Sequence, residues 1–325
     1  MTTYYVSTTG NDAANGLTTA TAWATITRAG SAGSVVTGGD FVNVLPGTYA
    51  KVSTFKNGIS KASRITYRND PAYPPWSAKI SGASGLVWQN QGSFINIKDF
   101  YITGATCTCG IMTYEWTTGL GTGQKCNISG CKIVDLLTNN VCGSQGGIHL
   151  ADGASSCSVT DCIIGNIAGG IIGSCNTTHG IYISGDGDTV NNCLVYKCAA
   201  VGIQQWHGAD SSRIVNNTVF NCVYGILIGQ GDAGVDGGSK NNFVANNIAC
   251  HNTKAGIRGL DGTGTGSNVY RNNCCFSNAV ANFQLTSTDV NSNPITVDAN
   301  FKNYVSNGTG DYRLTSTSAC RNAGV

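Results

Sequence analysis

Gly-Ile pairs recur through the second half of the chain, at Gly147-Ile148, Gly180-Ile181, Gly202-Ile203, Gly225-Ile226 and Gly256-Ile257, spaced by 33, 22, 23 and 31 residues. Before, between and after them lie short strand-like segments that share a bend: "NISGCKIV" (127–134), "SVTDCIIG" (158–165), "TVNNCLVY" (189–196), "RIVNNTVF" (213–220), "NFVANNIA" (242–249) and "VYRNNCCF" (269–276). Aligned on the bend, one column reads Cys131, Cys162, Cys193, Asn217, Asn247 and Asn273. Apolar columns flank it, with Ile128, Val159, Val190, Ile214, Val244 and Tyr270 three residues earlier and Ile133, Ile164, Val195, Val219, Ala249 and Cys275 two later. Alternating apolar residues in such short strands, repeated in phase every 22 to 33 residues, do not suit hairpins. They suit coils stacked as a parallel β-helix, with one strand about 4.8 Å above the last and like residues on like. An Asn column at a bend then supplies amides that bond from coil to coil.

Composition agrees with this and excludes several classes. The chain has 325 residues, 44 of them Gly and only 5 Pro, with 11% charged residues and a formal net charge of +2. That balance argues against nucleic acid as a partner, and no apolar run is long enough to span a bilayer. Asn, Thr, Ser and Gly dominate the polar set, favouring turns and strands over helices. Strand-like residues begin at Tyr4 with no leader-like stretch before them, and the expected location is extracellular or virion-associated. The 15 Cys are read as buried free thiols acting as small hydrophobes, because side chains stacked in one column point the same way and suit a disulfide poorly. Cys142 and Cys175, each five residues before a Gly-Ile pair, are expected to stack as well.

The opening "YYVSTTGNDAANGLTTATAWATITRAGSAG" followed by "GGDFVNVLPGTY" (38–49) resembles the start of right-handed parallel β-helix proteins of the pectate-lyase-like superfamily. "FINIKDFYITGA" (94–105) and the ending "GDYRLTSTSACRNAG" (310–324) are similar to further segments of that group. The resemblance implies an all-β, single-stranded right-handed solenoid with a short N-terminal capping helix near 22–32. It further implies one domain over 1–325: strand, cap and first coil in 1–50, coils in 51–285, and a C-terminal coil and cap in 286–325. The superfamily includes polysaccharide lyases, glycoside hydrolases, epimerases and phage tailspikes, so the fold alone names no activity. The glutamates and Lys-Ser segment of chondroitinase-B-like and alginate-lyase-like members, the Asp pairs of calcium pectate lyases and polygalacturonases, and the Asp-Pro-His run of mannuronan epimerases do not occur here.

Strand alternation nevertheless identifies a surface. With the Ile of each Gly-Ile pair inward, the next residue faces out, giving His149, Tyr182, Gln204, Leu227 and Arg258, with Trp206 beside them. Aromatic faces cover sugar C–H surfaces and polar groups read hydroxyls, so His149, Gln204, Trp206 and Arg258 are candidate substrate-binding residues. The turns beyond carry Asp152, Asp186, Asp188, Asp210, Asp232, Asp236 and Asp261, read as one acidic rim. His179, Tyr182, Asp186, Asp188, His207 and Asp210 form the candidate catalytic cluster.

Three chemistries fit this cluster. A Tyr/His pair removes the proton alpha to a uronate carboxylate and protonates the leaving oxygen, or two Asp carboxylates hydrolyse a glycosidic bond. Alternatively, Asp186, Asp188 and Asp232 bind calcium, which neutralises a uronate while Arg258 or Lys254 serves as base or clamp. The expectation is an enzyme that cleaves a polysaccharide, a lyase or else a hydrolase, present as a monomer or homotrimer. The rival is a non-catalytic glycan-binding or structural protein such as a phage fibre component or adhesin.

Overall fold

The computed structural model describes residues 1–114, 122–137, 145–168, 172–173, 176–229, 238–260 and 266–324. Its strands form three parallel sheets of eleven, nine and nine strands, in which successive strands of one sheet come from successive coils. One coil shows the plan: Thr189–Asn191 lies in the first sheet, Leu194–Cys198 in the second and Val201–Gln205 in the third. This is the parallel β-helix expected from the repeat, with the right hand that the resemblance implies, and among the described residues no helix is long and apolar enough to cross a membrane.

The register follows the sequence columns. Ile148, Ile181, Ile203, Ile226 and Ile257 pair in one continuous row and are fully buried. Ile133, Ile164, Val195, Val219, Ala249 and Cys275 form a second inward row, and Ile128, Val159, Val190, Ile214, Val244 and Tyr270 a third. All three rows meet in one apolar core.

Corners explain the polar residues between the strands. From the first sheet to the second the chain turns at a left-handed residue, with φ of 56° at Asp161, 53° at Asn192, 58° at Asn216, 56° at Asn246 and 52° at Asn272. Asn and Asp adopt that conformation at lower cost than other side chains, which is why "NN", "NNC" and "DC" recur there. The residue that follows turns inward and links the coils. Asn217 Oδ1 accepts from Cys193 N at 2.9 Å, while its Nδ2 donates to Val190 O one coil back at 3.0 Å and to Asn247 Oδ1 one coil on at 2.9 Å. Asn247 and Asn273 continue this pattern.

The other two corners carry ladders that the sequence alignment misses. Cys126, Cys157, Asp188, Ser212, Asn242 and Asn268 occupy one, and Cys198, Cys222, Asn252 and Asn278 the other. In each ladder Cys stands in the earlier coils and Asn in the later ones. The thiols are also more than filler: Cys193 Sγ donates to Val159 O at 3.7 Å, the preceding-coil contact that Asn217 makes through Nδ2. The thirteen described cysteines are free, twelve buried and Cys320 partly so, as expected. Cys142 and Cys175 lie outside the described residues.

The glycines of the Gly-Ile pairs mark a close approach of coils. A Cβ on Gly147 or Gly180 would lie 2.5 Å from the carbonyl oxygen of the next coil's glycine, and one on Gly202 would lie 2.7 Å away. Below the first coils, helix Ile26–Gly30 is capped by the Thr25 hydroxyl, which accepts from Arg28 N, and buries Ile26 and Ala29. It falls inside the expected 22–32 but is shorter. The C-terminal region leaves the solenoid path. Val290–Ser292 adds the last strand to the first sheet, but the antiparallel pair Phe301–Asn303 and Asp311–Leu314 packs against the side of the second sheet, where Phe301, Tyr304 and Tyr312 meet Tyr196, Phe220 and Phe276. Those outward aromatic residues provide an apolar strip along the solenoid wall, so burial holds the segment there.

Candidate functional site

A groove of about 800 Å³ lies on the outer face of the third sheet. The outward row pairs His149, Tyr182, Gln204, Leu227 and Arg258 in register, so the alternation reading placed these five on one flank correctly. His149, His179, Tyr182, Gln204, Trp206 and His207 all line the groove. Asp186, Asp188, Asp210 and Arg258 are not part of its wall.

Tyr182 sits at the centre of an imidazole ring cluster. His149 stacks on it at 4.5 Å between centroids with planes 20° apart, His179 tilts against it at 5.0 Å, and His207 stands 5.9 Å away. His149 Nε2 lies 3.3 Å from Ser184 Oγ, whereas the Nδ1 atoms of His149 and His179 are buried without a hydrogen-bond partner. Burial pushes both imidazoles down to about 3, helped at His149 by the neighbouring His179 and His207. Both rings are therefore neutral at any ordinary pH, each with one nitrogen able to accept a proton or hydrogen bond.

Beside this cluster the wall is apolar and aromatic. Trp206, Tyr224 and Leu260 pack on Ala200, Val201 and Leu227. Gly229 makes room for the indole, since a Cβ there would fall 1.9 Å from Trp206 Cε3. Tyr224 is a groove residue that the alternation reading missed. It immediately precedes Gly225 as His179 precedes Gly180, and that shared offset was the available signal. Lys254, two residues before Gly256, also lines the groove. Arg258 stands behind Tyr224, with its guanidinium 4.8 Å from the ring centroid and Nη1 donating to Tyr224 Oη.

Among the described residues the acidic rim does not form as read. Asp188 is fully buried in a corner ladder, where Oδ1 accepts from Cys157 N at 2.8 Å and Oδ2 has no partner. Burial, more than the nearby Cys157 and Asp186, raises its carboxyl well above the usual carboxylate range. The Gly-Asp-Gly-Asp stretch looks like a solvated turn, but its last residue stands one place before a first-sheet strand, where Cys157 and Asn242 turn inward. Asp186 is exposed, and its Oδ1 accepts from Asp210 N at 2.8 Å. Asp210 in turn accepts from Lys240 N at 2.7 Å and pairs with Lys240 Nζ at 3.7 Å. These two carboxylates link coils at the protein surface. Asp152 is exposed, while Asp232, Asp236 and Asp261 lie outside the described residues. Among the described residues no three His, Cys, Asp or Glu side chains are grouped to hold a metal ion.

No protein-family model matches the chain, and no curated protein sequence matches it. Solved structures do. Pectate lyase Pel9A superposes with a TM-score of 0.72 at 15% identity, covering 100% of this chain and 92% of its own. A rhamnogalacturonan lyase gives 0.60 at 14% identity, covering 97% of each chain. The alginate lyase from Paenibacillus sp. str. FPU-7 gives 0.52 at 16% identity, covering 84% of this chain and 96% of its own. The chain thus shares the right-handed parallel β-helix fold of these structures.

Proposed function

We propose that this protein is a carbohydrate-active enzyme that cleaves a uronate-containing polysaccharide by β-elimination in the groove around Tyr182. The observation that supports this reading is the composition of the wall. One tyrosine is enclosed by three histidines, two of them held neutral by burial, and no carboxylate stands among the described lining residues. Hydrolysis by the usual route needs two carboxyl groups flanking the bond, whereas elimination needs proton acceptors and donors. In the elimination, a base in the cluster takes the proton alpha to the uronate carboxylate. The electron pair left behind forms the carbon–carbon double bond as the glycosidic C–O bond breaks, and the departing oxygen receives a proton. Tyr182, in ring contact with His149, His179 and His207, is the group assigned to these transfers. Trp206, Leu227 and Gln204 hold the sugars alongside, offering apolar surface and an amide for hydroxyls. The similarity of the fold to pectate, rhamnogalacturonan and alginate lyases is in keeping with this reading.

The test is ultraviolet detection of unsaturated product on polygalacturonate, alginate and glycosaminoglycans, with Tyr182→Phe as control. The variant should lose on the order of 100-fold or more in turnover while melting as the parent does. Absence of product across the panel, or full turnover by the variant, would defeat the assignment. Binding to a glycan without cleavage would point instead to a non-catalytic glycan-binding protein.

A further inference from the structure

Tyr224 carries two cations. Lys254 Nζ lies 5.6 Å from its ring centroid and the Arg258 guanidinium carbon 4.8 Å, while Arg258 Nη1 donates to the phenol oxygen. No ion pair joins either cation to a carboxylate among the described residues, and Arg258 Nε is buried without a hydrogen-bond partner. Two like charges against one ring repel each other, and a site lined this way favours an anion between or above them. Because the Tyr224 oxygen already accepts from Arg258, its own hydrogen is available to donate outward. Tyr224 and Lys254 open directly onto the groove.

Position gives this cluster its meaning. Tyr182 is in strand Thr178–Ile183 and Tyr224 in strand Tyr224–Ile228, with one strand, Val201–Gln205, between them in the third sheet. Two rungs amount to about 10 Å along the axis, on the order of a disaccharide repeat. Trp206 and Leu227 lie against the intervening wall.

We infer that Tyr224, Lys254 and Arg258 form an oxyanion subsite that reads a carboxylate or sulfate on a sugar removed from the bond being broken. Lys254 and the Tyr224 hydroxyl touch the substituent, and Arg258 acts as a positioning residue that holds the phenol and adds charge. This deepens the proposed function, on which it rests for the location of the reacting sugar, and it restricts the substrate to a polymer with negative charge on more than one residue of the bound stretch. The arrangement separates charge recognition from proton transfer, which falls to the neutral cluster at Tyr182.

Calorimetric binding tests this apart from catalysis. Oligogalacturonate, its methyl ester and a sulfated oligosaccharide of similar length are titrated into the parent protein, Lys254→Met, Arg258→Gln and Tyr182→Phe. At least one acidic ligand should bind the parent about tenfold or more tighter than the neutral ester, with a preference that weakens as salt is added. The better of the two acidic ligands identifies the substituent. Lys254→Met, at an exposed position, should lose that preference while binding the ester unchanged, and Tyr182→Phe should keep it. A parent protein that binds no acidic ligand more tightly than the ester, or a Lys254→Met variant that retains the preference, overturns the subsite. Charge preference without any cleavage product would leave the subsite standing and remove the lyase. Cleavage that is indifferent to Lys254 would do the reverse.

Discussion

The imidazole of His149 lies flat on the phenol of Tyr182, 4.5 Å between centroids, although the two residues belong to different coils. The contact follows from register alone, because both residues come one place after the inward isoleucine of a Gly-Ile pair. Stacking in phase thus builds the cluster from residues that are remote in the chain.

Burial of His149 and His179 predicts an acid-sensitive fold. Each imidazole takes up a proton near 6.5 when unfolded but only near 3 when folded, so at low pH the unfolded state binds more protons. The histidine contribution to stability should be level above about pH 6.5 and be lost as pH drops from there toward 3, by about 1.4 kcal/mol per pH unit for each histidine. Urea midpoints measured across that range check the slope. His149→Phe, which keeps a ring over Tyr182, should remove roughly half of it.

Asp188 has the opposite sign. Its carboxyl is raised, so above the ordinary carboxylate range the unfolded chain ionises while the folded one holds its proton, and stability falls as pH rises through that window. Asp188→Asn removes this penalty and extends the amide ladder that Asn242 and Asn268 already form. The variant should melt higher at neutral pH, by about 1 kcal/mol of stability, with a gain that shrinks below pH 4. A lower melting temperature at pH 7 would count against the buried placement of this residue.

Asn217 connects three coils. Asn217→Ala takes the side-chain partner from Cys193 N and Val190 O in the interior, while Asn247 Oδ1 keeps the backbone N of residue 217, with an expected cost of about 3 kcal/mol. Asn217→Cys copies the solution used by Cys193 and should cost less than half as much. Chemical denaturation of the two variants side by side decides whether thiol and amide are alternative rungs of one ladder.

Gly229 leaves the space in which the Trp206 indole lies. Gly229→Ala should displace the ring, and indole fluorescence should shift while the fold is retained. If the indole is the sugar platform, glycan affinity falls about tenfold in step. Unchanged fluorescence would show that Trp206 is held by other contacts.

Much of this architecture was legible in the sequence because strand alternation and the Gly-Ile phase are strict. His149, Tyr182, Gln204, Leu227 and Arg258 could be placed on one flank without coordinates. The ladders through Asp188 and Asn252 were not legible, since they stand at corners beside segments of unequal length, and their offset from the Gly-Ile pairs varies from coil to coil. Asp188 was misplaced for that reason. Tyr224 was missed because alternation puts it on the inward side with Ile226, whereas in the structure it lines the groove and packs with Trp206. The C-terminal antiparallel pair carried no periodic signal, and its position depends on the wall it meets.

From Asp99-Phe100 to Asn272-Asn273, two residues separate each first-sheet strand from the second-sheet strand that follows it, whereas eight, 70–77, separate Ile65–Asn69 from Ala78–Ser81. Over those later coils the large differences in spacing fall instead between the second-sheet and third-sheet strands or between the third-sheet strands and the next first-sheet strands. Over those coils one edge of the molecule therefore behaves as a constant spine, while chain length varies on either side of the sheet that carries the groove. A lineage built on this plan can remodel what it grips without altering how it stands.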